Sequence, residues 1–168
     1  MKKLIVFAIA ILGFSGVSFG QSTATAGTSA LLIVPISIAK TTDMNFGTVA
    51  ASATAGTVLL DYADGRTAAG GASLPAGGNT LAKTAVFTVT GEGTSTFSIA
   101  IPAAPITLTG SVAGTMTVSD FVADLGAGGT LVAGSKVIKV KATLNVPANT
   151  VAGTYSNASD LFVRVNYN

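Results

Sequence analysis

At 168 residues the chain is long enough for one domain with a sizeable core, and it is 49% hydrophobic and 10% charged. It has no His, Cys or Trp, which excludes Ser-His-Asp and Cys-His nucleophiles, imidazole and thiolate metal sites, and disulfides. Nine Lys and Arg stand against seven scattered Asp and Glu, and no catalytic residue, cofactor or metal is expected from that inventory.

Lys2 and Lys3, an apolar run over residues 4–14, and the small residues Ser18 and Gly20 read as a secretory signal peptide, residues 1–20, cut before Gln21. The expected location is outside the cytoplasm: periplasm, cell surface or extracellular space. Without Lys2 and Lys3 the basic and acidic residues balance, so a nucleic-acid partner loses its electrostatic support. Residues 21–168 read as a single domain rich in Gly, Ala, Thr, Val and Ser and poor in helix formers, an all-β composition.

From Gln21 the even positions Ala24, Ala26, Thr28, Ala30, Leu32, Val34, Ile36 and Ile38 keep one side of the chain small or apolar. That run spans roughly 50 Å at strand rise, far beyond a globular strand of about five or six residues. It divides into a first strand over residues 31–38, with Pro35 at an edge or a switch between sheets, and a preceding segment. That segment, residues 21–30, is either a floppy terminus or an extended arm that pairs elsewhere.

Residues 43–47 (DMNFG) predict a short strand ending at a glycine. Residues 56–62 alternate, with Val58, Leu60 and Tyr62 against Thr57, Leu59 and Asp61. Residues 63–80, rich in Gly and Ala, predict a loop or a flap with a short hairpin of its own. Residues 83–90 present Ala85, Phe87 and Val89 to a core; Gly91-Glu92-Gly93 turns the chain, and residues 96–101 return as the second strand of a hairpin, with Phe97, Ile99 and Ile101 inward. Short strands follow at residues 106–108 and 115–118, and Phe121 and Leu125 pack beneath a turn at residues 126–129.

Residues 136–144 place Ile138, Val140, Ala142 and Leu144 on one face. Lys139, Lys141 and Thr143 take the other, a solvent face that blunts edge pairing. Pro147 ends this strand and Gly153-Thr154-Tyr155 turns the chain. The most regular alternation comes next: Leu161, Val163, Val165 and Tyr167 on one parity, Phe162, Arg164 and Asn166 on the other. Apolar and unbroken by Pro, this terminal strand needs a partner.

About eight to ten short strands with regular turn signals and no helical period indicate an antiparallel immunoglobulin-like β-sandwich. A small outer-membrane barrel would need aromatic girdles, and only 7% of residues are aromatic. Among candidate sites, Asp61-Tyr62-Ala63-Asp64-Gly65 is faintly like a calcium loop but lacks an EF-hand ligand register and reads as a turn. Asp120 and Asp124 read as loop polar groups, and Gly91-Glu92-Gly93 lacks the Lys-Ser/Thr and the helix of a phosphate loop. Asn157-Ala158-Ser159 fits a glycosylation sequon, while Tyr155 and Tyr167 read as core residues with a hydroxyl at the rim.

Residues 34–49 (VPISIAKTTDMNFGTV), 85–102 (AVFTVTGEGTSTFSIAIP), 106–121 (ITLTGSVAGTMTVSDF) and 146–168 (VPANTVAGTYSNASDLFVRVNYN) together resemble an exported bacterial family, domain of unknown function 4402. More distantly, Phe46-Gly47 and Gly153-Thr154-Tyr155 before a terminal alternating strand look like spore-coat-U-type proteins and archaic chaperone–usher pilus subunits. That second resemblance implies an incomplete sandwich whose groove is filled by a neighbour's N-terminal arm, with a periplasmic chaperone and an outer-membrane assembly platform as partners. The expectation is a non-catalytic structural subunit of a surface filament or layer, assembling with copies of itself or related subunits. Its assembly residues would be Ala24, Ala26, Thr28 and Ala30 on the arm and Leu161, Val163, Val165 and Tyr167 on the terminal strand. The alternative is a self-contained secreted sandwich that binds a carbohydrate or a surface protein through its loops.

Overall fold

The computed structural model describes residues 20–77 and 81–168. The expected signal peptide, apart from Gly20, lies outside the described residues. The chain divides into one unit up to Leu32 and another from Ile33 onward. In the first, residues 20–32 form no strand or helix and every one is exposed.

The second unit is all-β. Its strands are β1 (Ser37–Thr42), β2 (Gly56–Leu60), β3 (Arg66–Gly70), β4 (Ala85–Thr90), β5 (Thr96–Ala100), β6 (Ile106–Gly110), β7 (Thr115–Ala123), β8 (Gly128–Thr130), β9 (Ser135–Val146), β10 (Tyr155–Ser156) and β11 (Arg164–Tyr167). All pairing is antiparallel. The larger sheet runs β1-β4-β9-β7-β6-β10, with β2 also on β9 and β3 on β2; the smaller is β11-β5-β8. The result is a sandwich-like fold whose larger sheet curls as a half-barrel.

The 12-residue β9 is the spine. Its inner residues Ile138, Val140, Ala142, Leu144 and Val146 are all buried, as a period of two demands. One of its edges is shared end to end: β4 pairs with the stretch from Ser135 to Val140, and β2 with the stretch from Ala142 to Val146. The opposite edge carries β7. This placement corrects the expectation for Lys139 and Lys141, which lie on the outer face of a central strand and protect no edge. Lys139 donates through Nζ to the Tyr62 carbonyl at 3.0 Å, and the Lys141 ammonium sits 5.2 Å from the Tyr62 ring centre.

Other expectations change as well. The first strand is β1, not residues 31–38. Its register begins at Ser37↔Thr90, and β4 ends at Thr90, so among the described residues no strand pairs with those before Ser37. Leu31, Leu32, Ile33 and Val34 remain exposed. Residues 83–90 and 96–101 do not form a hairpin. Both edges of β4 are occupied, by β1 and β9, and the chain after Thr90 crosses to the smaller sheet, where β5 pairs with β11 and β8. Among the described residues of the 63–80 segment, the one strand, β3, folds back onto β2 with Leu60↔Arg66 instead of forming a hairpin within the segment.

Residues 43–47 keep only one bridge, Asn45↔Lys83. Asp120 is not a loop residue. It sits at φ 54° within β7, where the register shifts between Ser119 and Val122. That bulge places two residues, Asp120 and Phe121, opposite one and restores the alternation, so that Phe121 packs inward like Val118 and Ala123.

Buried side chains fall into two clusters along β9. One joins the inner residues of β4 and the first half of β9 to Phe97, Leu131 and Val163, which the smaller sheet and its flanks supply. The other joins β2, β7 and the second half of β9 to Phe46, Ala72 and Ala82. No residue of the smaller sheet belongs to this second cluster. Here the inner face of the larger sheet is covered by irregular chain instead.

Because Ile138 is fully buried where β4, β9 and the smaller sheet meet, Ile138→Ala is expected to cost about 2–5 kcal/mol. The check is the shift in urea midpoint at constant slope.

Candidate functional site

Where the smaller sheet does not reach, the half-barrel is open along a groove of about 870 Å³. Its floor crosses four adjacent strands: Phe87 of β4, Leu144 of β9, Met116 and Val118 of β7, and Ile106 and Leu108 of β6. Residues 42–49, which continue from β1, make one wall; residues 153–159, which include β10, make the other. β1 and β10 end the main run of the larger sheet, as β3 ends its branch, so among the described residues β1 and β10 each have an edge without a neighbouring strand. Phe121 and Leu161 also line the space. Its charged lining residues are Lys40 and Asp43, which pair with each other. The groove is therefore apolar below, polar and neutral at its rims, and bounded by two strand edges.

The walls are held by polar contacts. Arg66 of β3 reaches across and donates through Nη1 to the Phe46 carbonyl at 2.7 Å and the Thr48 carbonyl at 2.8 Å. Asn45 Oδ1 accepts from the Gly47 N–H at 2.7 Å, which closes a turn at Gly47, φ 66°. Asn45 also exchanges backbone bonds with Lys83. Lys83 and its neighbour are tied in turn to Asp64, whose carboxylate accepts from Lys83 Nζ at 2.8 Å and the Thr84 N–H at 2.7 Å. On the far wall, Asn157 Nδ2 donates to the Thr107 carbonyl at 2.9 Å and to Asp160 Oδ2 at 2.7 Å, and the Ser111 N–H to the Thr154 carbonyl at 2.7 Å.

The residues singled out from the sequence separate in space. Leu161 lines the groove. Val163 is buried in the cluster beneath the smaller sheet, and Val165 and Tyr167 are half-buried against it. Arg164 and Asn166 are exposed, and β11 pairs with β5 over Arg164↔Ala100 to Tyr167↔Phe97. Ala24, Ala26, Thr28 and Ala30 are exposed and lie in no strand. The groove floor and the Arg66-braced wall were not foreseen, because they exist only once the strand order is known.

The carboxylates each have a local partner. Asp61 Oδ1 accepts from the Ala63 and Gly65 N–H groups, and Asp124 Oδ1 from the Lys139 N–H at 3.0 Å. Asp120 Oδ2 accepts from the Ser119 hydroxyl, and Glu92 Oε2 from the Val34 N–H. Burial, and after it the Asp124 carboxylate, raise the Tyr62 phenol above its ordinary pKa. The Lys83 hydrogen bond, and after it the Thr84 N–H, hold Asp64 below the usual aspartate value. Among the described residues no three His, Cys, Asp or Glu converge as a metal site.

Residues 36–167 match the family described as "Domain of unknown function (DUF4402)". The chain belongs to this family. The match takes in the groove floor, both walls and the smaller sheet, and it begins after the exposed residues 20–34. No curated protein and no solved structure matches the DUF4402 chain.

Asp64 gives a pH prediction. Its pKa is lower when folded, so its contribution to stability is complete above the ordinary aspartate range and disappears as pH falls through the folded value. Asp64→Asn should lower the thermal midpoint at neutral pH, and the gap from the unmodified protein should narrow as the solution is acidified. Scanning melts of both proteins over that range check it.

Proposed function

We propose that this DUF4402 chain is a non-catalytic structural subunit of a bacterial surface filament or layer, exported by the signal peptide at residues 1–20. Assembly is by strand complementation: the N-terminal arm of one copy, or of a related subunit, adds a strand in the open groove of the next. The observation that carries this reading is the match between groove and arm. The groove crosses four strands, is neutral, and is bordered by residues of β1 and β10, the strands that end the main run of the sheet. The chain itself supplies a segment of the same character, with no charged residue between Lys3 and Lys40 and with exposed residues from Gly20 to Val34. Backbone hydrogen bonds to an edge supply register, and the alternating positions Ala24, Ala26, Thr28 and Ala30 enter the groove. An open apolar groove is an aggregation hazard until filled, and a periplasmic chaperone that caps it before delivery to an outer-membrane platform fits that need.

Replacing Ala26 and Ala30 together by Asp places two unpaired charges where the arm meets an apolar floor, at several kcal/mol each. The variant should fold as the unmodified protein does, by near-UV spectra and thermal midpoint, and should fail to assemble in sedimentation and electron microscopy. Normal assembly would refute the donor role. An unfolded monomer would place residues 21–30 in the domain's own sheet, and the self-contained binding module would replace this reading.

A further inference from the structure

Val34 is held to the domain by hydrogen bonds in which both of its backbone groups take part. Its N–H donates to Glu92 Oε2 at 3.0 Å, and its carbonyl accepts from the Tyr167 hydroxyl at 2.8 Å. The same hydroxyl accepts from the Glu92 N–H at 2.6 Å, so Val34, Glu92 and Tyr167 form a closed ring of three bonds between distant parts of the chain. Packing does not do this work, since the Val34 side chain is 55% exposed. Pro35, next in the chain, has no N–H to offer, and strand pairing begins only at Ser37. The Tyr167 ring is anchored against the core beneath the smaller sheet, and its hydroxyl passes so close over Gly91 that a β-carbon there would lie 2.2 Å from it.

We infer that Tyr167 and Glu92 are positioning residues that fix where the donor arm leaves the domain, and that this fixed root makes the joint between copies polar, head to tail. The inference rests on the strand-complementation reading. The latch sits at the end of β1 where Ser37 faces Thr90. The groove begins at the other end, where Thr42 faces Val86, and continues along residues 42–49. Six residues of strand separate the two by about 20 Å. A copy therefore gives its arm from one surface and receives an arm at another. Such a heterologous contact propagates as an open chain or closes as a ring, whereas an isologous pair uses one surface twice. Residues 21–33 reach roughly 40 Å when extended, enough to run the length of a neighbour's groove. Leu31 and Leu32, 89% and 97% exposed, come just before the latch in sequence and are the side chains the receiving copy covers at the joint.

The absence of cysteine makes the test direct. Thr28→Cys in the arm and Ser156→Cys in the groove wall are introduced together into the full chain and oxidised, with each single variant as control. Head-to-tail assembly predicts a ladder of three or more copies on a non-reducing gel, while each single variant stops at a pair. Adding Tyr167→Phe, which keeps the ring and removes only the hydroxyl, should weaken the ladder about tenfold, in line with the loss of one or two hydrogen bonds, with the thermal midpoint shifted by only a few degrees. Glu92→Ala removes the acceptor of the Val34 N–H without touching the core and should do the same, which keeps the test decisive should Tyr167→Phe fail to fold. A ladder unchanged by both variants overturns the latch while leaving strand complementation standing. Cross-links confined to pairs overturn the polar joint. Cross-links only within one chain, or none, together with monomers in sedimentation, overturn the strand-complementation reading itself.

Discussion

Everything in this fold depends on keeping both edges of β9 paired while one of its faces stays dry. A strand of that length cannot be matched by one neighbour of ordinary length, and the chain answers with two in series, β4 and then β2. At the seam, between Val140 and Ala142, neither neighbour has a residue facing Lys141. Thr84 closes the gap: it is 2% exposed, and its hydroxyl donates to the Val140 carbonyl at 2.9 Å. Among the described residues no buried side-chain polar atom lacks a partner.

The same division produces the groove. The smaller sheet has three strands and covers only the half of the larger sheet built on β4 and the first part of β9. The other half is left to Phe46, Ala72 and Ala82, single residues on irregular chain. Such a lid has gaps where a sheet would not. The groove lies at those gaps, over a floor that the irregular chain covers only in part.

Local periodicity was readable in the sequence, and partners were not. The inward parity of β4 and β9 and the alternation from Leu161 to Tyr167 were legible because each needs only a period of two and a run of apolar residues. The supposed hairpin after Thr90 misled because Gly91-Glu92-Gly93 looks the same whether the chain returns to its own sheet or crosses to another. Occupation of the β4 edge by β9 decides between them, and that partner lies far along the chain. The first strand was placed too early for a related reason. Residues 31–34 are more apolar than Lys40, Thr41 and Thr42, yet the polar residues have β4 beside them and the apolar ones have no strand. The candidate site was legible only in the neutral, small-residue character of its proposed occupant; floor, walls and latch all rest on contacts between residues remote in sequence.

β9 also sets the order of events during folding. Eight strands precede it in the chain, and three of them, β2, β4 and β7, take it as a neighbour. Until β9 has emerged the larger sheet has no centre, and β4 can hold only β1. High sequence separation between partners makes such sheets slow to form, because loop closure precedes the contacts that repay it. Before residues 135–146 arrive, β1 with β4, β2 with β3, and β6 with β7 have their partners, but the strand that joins these pairs into one sheet is missing.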